Sequence, residues 1–309
     1  MPGSSISVVV PVYRSSRSLP ELIDRLIRVL EPMNRPYELV LVDDCSPDDS
    51  WAVLERLRDR HGERLKIASL TRNQGQHNAV LCGFSLASGD VVVTMDDDLQ
   101  NPPEELPGLV SAIDEGFDLS IASYESKQHT RARNTGGHLV DRIIRRMFDL
   151  PSDFALTSFR AAAEELVHKA QSMTGVYPYV TCMLLTYSSR PTNVAVRHDE
   201  RPHGSSNYTL TKSLSLAANL LFSYSTAPVR GVALLGIVGV VAAVTAGLVT
   251  LIIALTSSTV PGWASTLVVV TSSNAITLTC LTILAVYVGR VNRSLSGAQQ
   301  KFTIRELRD

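Results

Sequence analysis

The chain holds 309 residues with a formal net charge of −1 and 19% charged residues, room for one sizeable domain and a smaller appendage. Near-neutral charge, with no basic patch interleaved with aromatics, argues against nucleic acid as a partner. Cys45, Cys82, Cys182 and Cys280 are scattered without metal-ligand or redox spacing and read as thiols in a reducing compartment.

From the start of the chain, apolar runs of strand length fall at Ile6–Val12, Glu38–Val42, Leu65–Leu70, Val91–Met95 and Asp118–Ala122. They are rich in Val, Ile and Leu, as strands buried on both faces are. The first run lacks a preceding basic region and is too short for an export signal, so this part is expected to face the cytoplasm. Helical spacing links the runs: Leu19, Leu22, Ile23, Leu26, Ile27 and Leu30, then Trp51, Leu54 and Leu57, then Ala79, Val80, Gly83, Phe84 and Leu86. This alternation predicts an α/β, Rossmann-like domain over 1–208 with a mostly parallel sheet. Ligands of such sheets bind beyond the carboxyl ends of the strands, which directs attention to the residues after each run.

After the second run stands Asp43-Asp44-Cys45-Ser46. A carboxylate there can accept hydrogen bonds from a base or ribose, and Asp43 is the candidate; capping of the next helix is the alternative for its neighbours. After the third comes Asn73-Gln74-Gly75-Gln76-His77. Gly75 permits close backbone approach, and the following helix start, with Gln76, offers N–H groups to phosphate or sugar oxygens. The glycine could equally just shape the turn, and His77 reads as a hydrogen-bonding surface residue.

After the fourth run stands Asp96-Asp97-Asp98-Leu99-Gln100-Asn101-Pro102-Pro103-Glu104. Three adjacent carboxylates at a strand end repel one another, and a bound cation removes that cost. In extended backbone Asp96 and Asp98 point one way and Asp97 the other. With the Gln100 amide oxygen they form a hard, oxygen-only set suited to Mg²⁺ or Mn²⁺. A solvated acidic turn capping a helix is the plain alternative.

Further on, Leu139–Phe148 has helical spacing beside Arg142, Arg145 and Arg146, and 194–207 reads as polar connecting chain. Leu210, Leu214, Ala217, Ala218 and Leu221 repeat at helical spacing within a juxtamembrane segment, 209–230. Either an amphipathic helix in a membrane interface or an ordinary packing helix fits. From Gly231 to Gly289 there is no Asp, Glu, Lys, Arg or His. Broken at Pro261-Gly262-Trp263, this block predicts two transmembrane helices at about 231–257 and 264–289. Arg230, Arg290 and Arg293 flank it, which places both flanks on the cytoplasmic side of a plasma (inner) membrane. Residues 290–309 are expected as a cytoplasmic tail.

Val9-Val10-Pro11-Val12-Tyr13, Asp43-Asp44-Cys45-Ser46, Asn73–His77, Gly89-Asp90 and Asp96–Glu104 together resemble family 2 glycosyltransferases of the GT-A fold. The polyprenyl-phosphate branch, whose bacterial members carry a C-terminal pair of membrane helices, is the most similar. The resemblance implies transfer of a sugar from a nucleotide sugar, UDP-linked by the form of the motifs, to a polyprenyl phosphate in the membrane. It implies Pro11, Tyr13 and Asp43 around the base, and a metal on Asp96, Asp98 and Gln100 that bridges the diphosphate. Asp153, before Phe159-Arg160, falls near an acidic family position. Arg131 and Arg133 fall where acceptor-phosphate arginines stand, and Arg201 with Ser206 and Tyr208 resembles the loop over the active site. A homo-oligomer, a tetramer, is implied as well. Departures from the family pattern are Arg14-Ser15, Tyr124 and Asn207. A GDP-mannose-using enzyme and a catalytically inactive nucleotide-sugar-binding scaffold are the alternatives.

Overall fold

The computed structural model describes residues 4–124, 135–173, 177–197, 210–225, 262–295 and 302–309, with scattered positions from 230 to 248. The chain forms two compact units, one of residues up to Ala217 together with Gln299–Asp309, the other of Ala218–Ala298.

The first unit is built on β1 (Ile6–Val12), β2 (Tyr37–Asp43), β3 (Leu65–Leu70), β4 (Val91–Thr94), β5 (Leu119–Tyr124), β6 (Arg160–Ala163), β7 (Pro191–Val196) and β8 (Ile304–Arg308). They make one sheet in the order β7-β5-β6-β4-β1-β2-β3-β8. β1, β2, β3 and β4 run parallel, as do β5 and β7, while β6 and β8 are antiparallel to their neighbours. Every residue of β1 is buried, as expected of a central strand covered on both faces. On one face Val8, Val10 and Val12 pack with Leu19, Leu22 and Leu26 of α1 (Leu19–Leu30), Leu54 of α2 (Ser50–His61) and Leu109 of α4 (Leu106–Asp114). α3 (Gln76–Leu86), α6 (Glu164–Ser172) and α7 (Val180–Tyr187) pack on one another, with α3 against Val9 on the opposite face. α5 (Thr135–Met147) follows the expected basic, apolar spacing.

Two expectations are corrected here. Residues 191–196, in part assigned to polar connecting chain, form β7. The last residues are not a free tail: β8 pairs antiparallel with β3 and covers what would otherwise be an open sheet edge.

In α8 (Leu210–Tyr224) one residue of the expected stripe, Ala217, is buried at 3% exposure, as is Leu220 outside the stripe at 0%, whereas Ala218 of the stripe is exposed. In the second unit α9 (Trp263–Leu295) exposes Val269, Val270, Leu278, Leu281, Leu284 and Val288. Among the described residues no helix is long and apolar enough to cross a membrane; residues 249–261, with most of the turn of the expected hairpin, lie outside them.

Candidate active site

The chain runs outward from β1 through β2 and β3 and then returns to place β4 on the other side of β1. A crevice opens at the carboxyl ends where the order reverses. Pro11 stands at that point. Its register continues beyond Val9, the last β1 residue paired with β4, and Val9 accepts from Met95 N on the β4 side. Pro11 shares that orientation, so its missing N–H faces the gap where β4 has ended and costs no ladder bond. A cavity of about 190 Å³ fills the gap, lined among others by Pro11, Gln76, His77, Asp96, Arg160 and Tyr179.

The acidic turn is held by its middle member. Asp97 accepts from Tyr13 N at 2.9 Å, and its carbonyl accepts from Ser18 Oγ at 2.7 Å. Burial, then the charges of Asp96 and Asp98, push its carboxyl up to about 6 against hydrogen bonds from Ser15 and Tyr13. Asp97 thus turns away from its neighbours, as expected. Asp96 accepts from Gln76 Nε2 and from Ser158 Oγ, each at 2.6 Å. Asp98 accepts from Gln100 N at 3.1 Å, across Leu99, whose φ is +61°.

Asp98 lines a second hollow, of about 330 Å³, with Arg14, Arg17 and Asp48. Asp96 and Asp98 therefore open on neighbouring cavities rather than side by side, because β4 ends at Thr94 and strict alternation ends with it. Among the described residues no group of three or more His, Cys, Asp or Glu is arranged to hold a metal. Mg²⁺ and Mn²⁺ are commonly held by one or two carboxylates plus substrate phosphates. The all-oxygen donors and crowded negative charge of Asp96 and Asp98 fit that mode; Gln100 is tied in through its backbone rather than its amide oxygen.

At the end of β2, Asp43 is 1% exposed and accepts from Ser46 N at 3.2 Å and Ser69 Oγ at 3.2 Å. Asp44, not singled out in the sequence, accepts from Gln74 N at 2.6 Å and Gly75 N at 2.8 Å. Burial raises its pKa, and those bonds only partly offset it. The Gly75 N–H is satisfied by Asp44, and its φ of +89° serves the turn into α3, one of the two readings the sequence left open. Gln76 binds Asp96 instead of waiting for a ligand. Tyr13 stays 42% exposed, with the Arg14 guanidinium 5.3 Å from its ring.

Arg160 is the residue sequence reasoning undervalued. It is 3% exposed, donates from Nε to Thr94 Oγ1 at 3.1 Å and from Nη1 to Thr181 Oγ1 at 2.6 Å, and lines the Asp96 cavity. Burial pushes its pKa down to about 10, so it stays cationic at neutral pH. Its signal was a lone charge in the apolar run Phe159–Ala163. His77, read as a surface residue, is half-buried and packs against Tyr179 with ring centroids 4.6 Å apart and the rings tilted by 56°. Tyr124, one of the departures, donates to Asn101 Oδ1 at 2.5 Å and pins the segment after the acidic turn. Asp153 is exposed in a turn and does not line the Asp96 cavity. Arg131, Arg133, Arg201, Ser206 and Tyr208 lie outside the described residues.

The sequence profile described as "Glycosyl transferase family 2" matches residues 7–174. The chain belongs to this family. It is a glycosyltransferase, as the notable relatives of family 2 bear out. It is 35% identical over 264 residues to the undecaprenyl-phosphate 4-deoxy-4-formamido-L-arabinose transferase of Edwardsiella ictaluri, covering 84% of this chain and 79% of that one. The enzyme of the same name from Serratia proteamaculans is 34% identical over 263 residues, covering 85% and 80%. Among solved structures, glucosyl-3-phosphoglycerate synthase from Mycobacterium tuberculosis with Mn²⁺, uridine diphosphate and phosphoglyceric acid superimposes with a TM-score of 0.51 at 19% identity, covering 72% of this chain and 77% of that one. This last likeness shows the shared GT-A fold.

Proposed function

We propose that the chain transfers a sugar from a nucleoside diphosphate, UDP by preference, to a polyprenyl phosphate at the cytoplasmic face of the membrane, with inversion at the anomeric carbon. The observation that carries the reading is the acidic turn at the switch point, where Asp96 borders the crevice that Pro11 leaves open and Asp98 borders the second hollow. The names of the relatives, undecaprenyl-phosphate transferases, support the acceptor, and the Mn²⁺ and UDP bound by the solved glucosyl-3-phosphoglycerate synthase support the donor and a divalent cation.

Asp96 and Asp98, with Gln100, would hold that cation, which would act as a Lewis acid on the departing diphosphate. Asp43 and Tyr13 face the nucleotide. Gln76 and Ser158 fix Asp96 at the wall of the cavity, and the buried Arg160 guanidinium lines the same cavity as a cation. The acceptor phosphate has its second pKa near 6, so it is largely a dianion at neutral pH and needs no strong base. The protein's work is to neutralise and orient it, a task given to Arg131, Arg133 and Arg201, since guanidinium groups grip phosphate in bidentate fashion. Ser206 and Tyr208 belong to the same loop, and Asp153 orients an arginine or the donor sugar.

The membrane hairpin is part of this reading. The uncharged block is flanked by Arg230 and by Arg290 and Arg293, and the chain on both sides of it contributes to one folded unit, through β1 to β7 before and β8 after. Two crossings return the chain to the side it left. A polyprenyl tail confines its phosphate to the headgroup plane, where a tethered domain meets it.

The test uses the full chain in membranes with radiolabelled UDP-sugars and GDP-mannose, polyprenyl phosphate and Mg²⁺ or Mn²⁺. Label is expected in the organic phase with a UDP-sugar, and is expected to vanish with EDTA. Label only from GDP-mannose would move the donor to guanosine. Nucleotide binding without transfer from any donor would leave the inactive scaffold.

A further inference from the structure

We propose that Arg305, brought to the sheet by β8 from the far end of the chain, is a positioning residue for donor binding, which orients the Ser69 hydroxyl onto Asp43. This rests on the reading of Asp43 as the acid that faces the nucleotide.

The observation is a break in strand register. β8 pairs Glu306 with Ser69 and Ile304 with Leu70, with the ladder shifting between Ser69 and Leu70. Arg305 is the surplus residue of that bulge. Bulges re-aim a side chain and recur beside functional sites, and here the side chain so aimed reaches inward: Arg305 Nη2 donates to Ser69 Oγ at 2.9 Å. Ser69 Oγ lies 3.2 Å from Asp43 Oδ2. Arginine has donors only, so it occupies a lone pair on the hydroxyl and leaves the single Ser69 proton for Asp43. Ser69 is 0% and Asp43 1% exposed, an environment in which a fixed hydroxyl dipole matters more than it would in water. Ser46 N supplies the second bond to this carboxylate. With both in place, the Asp43 plane is set and its remaining lone pairs keep one direction.

The Arg305 side chain is not what docks the strand. β8 is held by its ladder to β3, by Thr71 N donating to Thr303 O at 2.9 Å, and at its far end by Arg308 with Glu55 and by Arg58 with the Asp309 carbonyl. Arg305 itself is exposed. A cation at an exposed sheet edge, aimed by a bulge at a buried hydroxyl that touches a buried acid, has a positional role that edge protection alone does not require. The donor site of the first unit is thereby completed by residues that follow the uncharged block.

The test is a double-mutant cycle on the full chain with Arg305→Met, Ser69→Ala and the pair, reading the Kd for UDP, the donor KM, kcat and Tm. Arg305→Met should weaken UDP binding and raise donor KM by about 3- to 10-fold, the worth of one oriented hydrogen bond, with kcat and Tm nearly unchanged. Ser69→Ala should do the same, and the double variant should be no worse than either alone, since both break one relay. Arg305→Lys should recover part of the loss. Unchanged UDP affinity in Arg305→Met, losses that add in the double variant, or a fall in Tm with KM intact would each overturn the proposal. Wild-type chain that binds neither UDP nor GDP would overturn the nucleotide reading as well, whereas a wild type that binds UDP beside an unaffected Arg305→Met removes only the role of Arg305.

Discussion

The two edges of the sheet are built from similar residues and treat them in opposite ways. At the amino edge, just before β1, Ser5 gives both its N–H and its hydroxyl to Asp90, at 2.7 and 2.8 Å. Glu38 accepts from Ser7 Oγ at 2.5 Å and Ser88 N at 2.6 Å, and pairs with Lys66 at 2.7 Å. Gly89 fits because a Cβ there would stand 2.6 Å from Ser7 N. At the carboxyl edge three carboxylates crowd one turn, and Arg160 is buried with hydroxyls rather than acids as its hydrogen-bond partners. Backbone geometry divides in the same way. Left-handed positions near the amino edge go to Asn34, Gly62 and Gly116, whereas those at the carboxyl edge include, besides Gly75, the non-glycine residues Arg14, Cys45 and Leu99, which adopt that region at about 1 kcal/mol or more each. Strain and unbalanced charge gather at the edge proposed to take the ligand. One edge pairs its polar groups and the other leaves charge unbalanced.

The largest expected effect belongs to the carboxyl edge. Asp98→Ala should lower metal-dependent turnover on the order of 10³-fold or more, the scale of several kcal/mol of charge stabilisation. Tm should hold or rise, because one of three adjacent like charges is gone. Turnover within a few-fold of wild type would remove Asp98 from the metal and erase the contrast between the edges. The amino edge should behave in reverse. Glu38→Gln strands Lys66 and weakens two serine contacts, which should cost about 1–3 kcal/mol and several degrees in Tm with kcat/KM unchanged. A Glu38→Gln enzyme with intact Tm but damaged catalysis would show that the division by edge is wrong.

That division also explains what could be read in the sequence. β1 to β4 were legible because runs such as Ile6–Val12 are apolar throughout, the mark of burial on both faces, and the rule that ligands sit beyond strand ends led straight to Asp96 and Asp98. β6 and β8 were not. Arg160–Ala163 is four residues long, and Ile304–Arg308 alternates like any exposed edge segment; each becomes a strand only by pairing with β4 or β3, far away in the chain. Gly89-Asp90 was visible as a motif, but it belongs to the amino edge, where it joins β4 to β1. The choice between Asp43 and Asp44 was likewise out of reach, since the amides that claim Asp44 lie 30 and 31 residues on.

The smallest effect tests the α3 side of the cavity. The His77 imidazole is pushed down to about 4, first by burial and then by the charge of Arg160, from an ordinary value of 6.5. Because the folded value lies below the unfolded one, the fold favours the neutral ring. The stability this contributes is complete above pH 6.5 and is lost as pH falls towards 4, where the unfolded chain takes up a proton that the folded chain refuses. Water at the exposed part of the ring trims the effect to about 1–2 kcal/mol. Glu38 acts in a separate window: its pKa is held below the ordinary 4.5, as Lys66 and the serines outweigh burial, so its share is lost only in stronger acid. His77→Gln should therefore flatten the loss of stability between pH 6.5 and 4.5, measured by urea unfolding, while Glu38→Gln leaves that interval unchanged. Parallel curves for wild type and His77→Gln would mean that the imidazole titrates as it does in water. The cavity beside Asp96 and Arg160 would then be wet on its α3 side, and that wall could not exclude water from a sugar bound there as proposed.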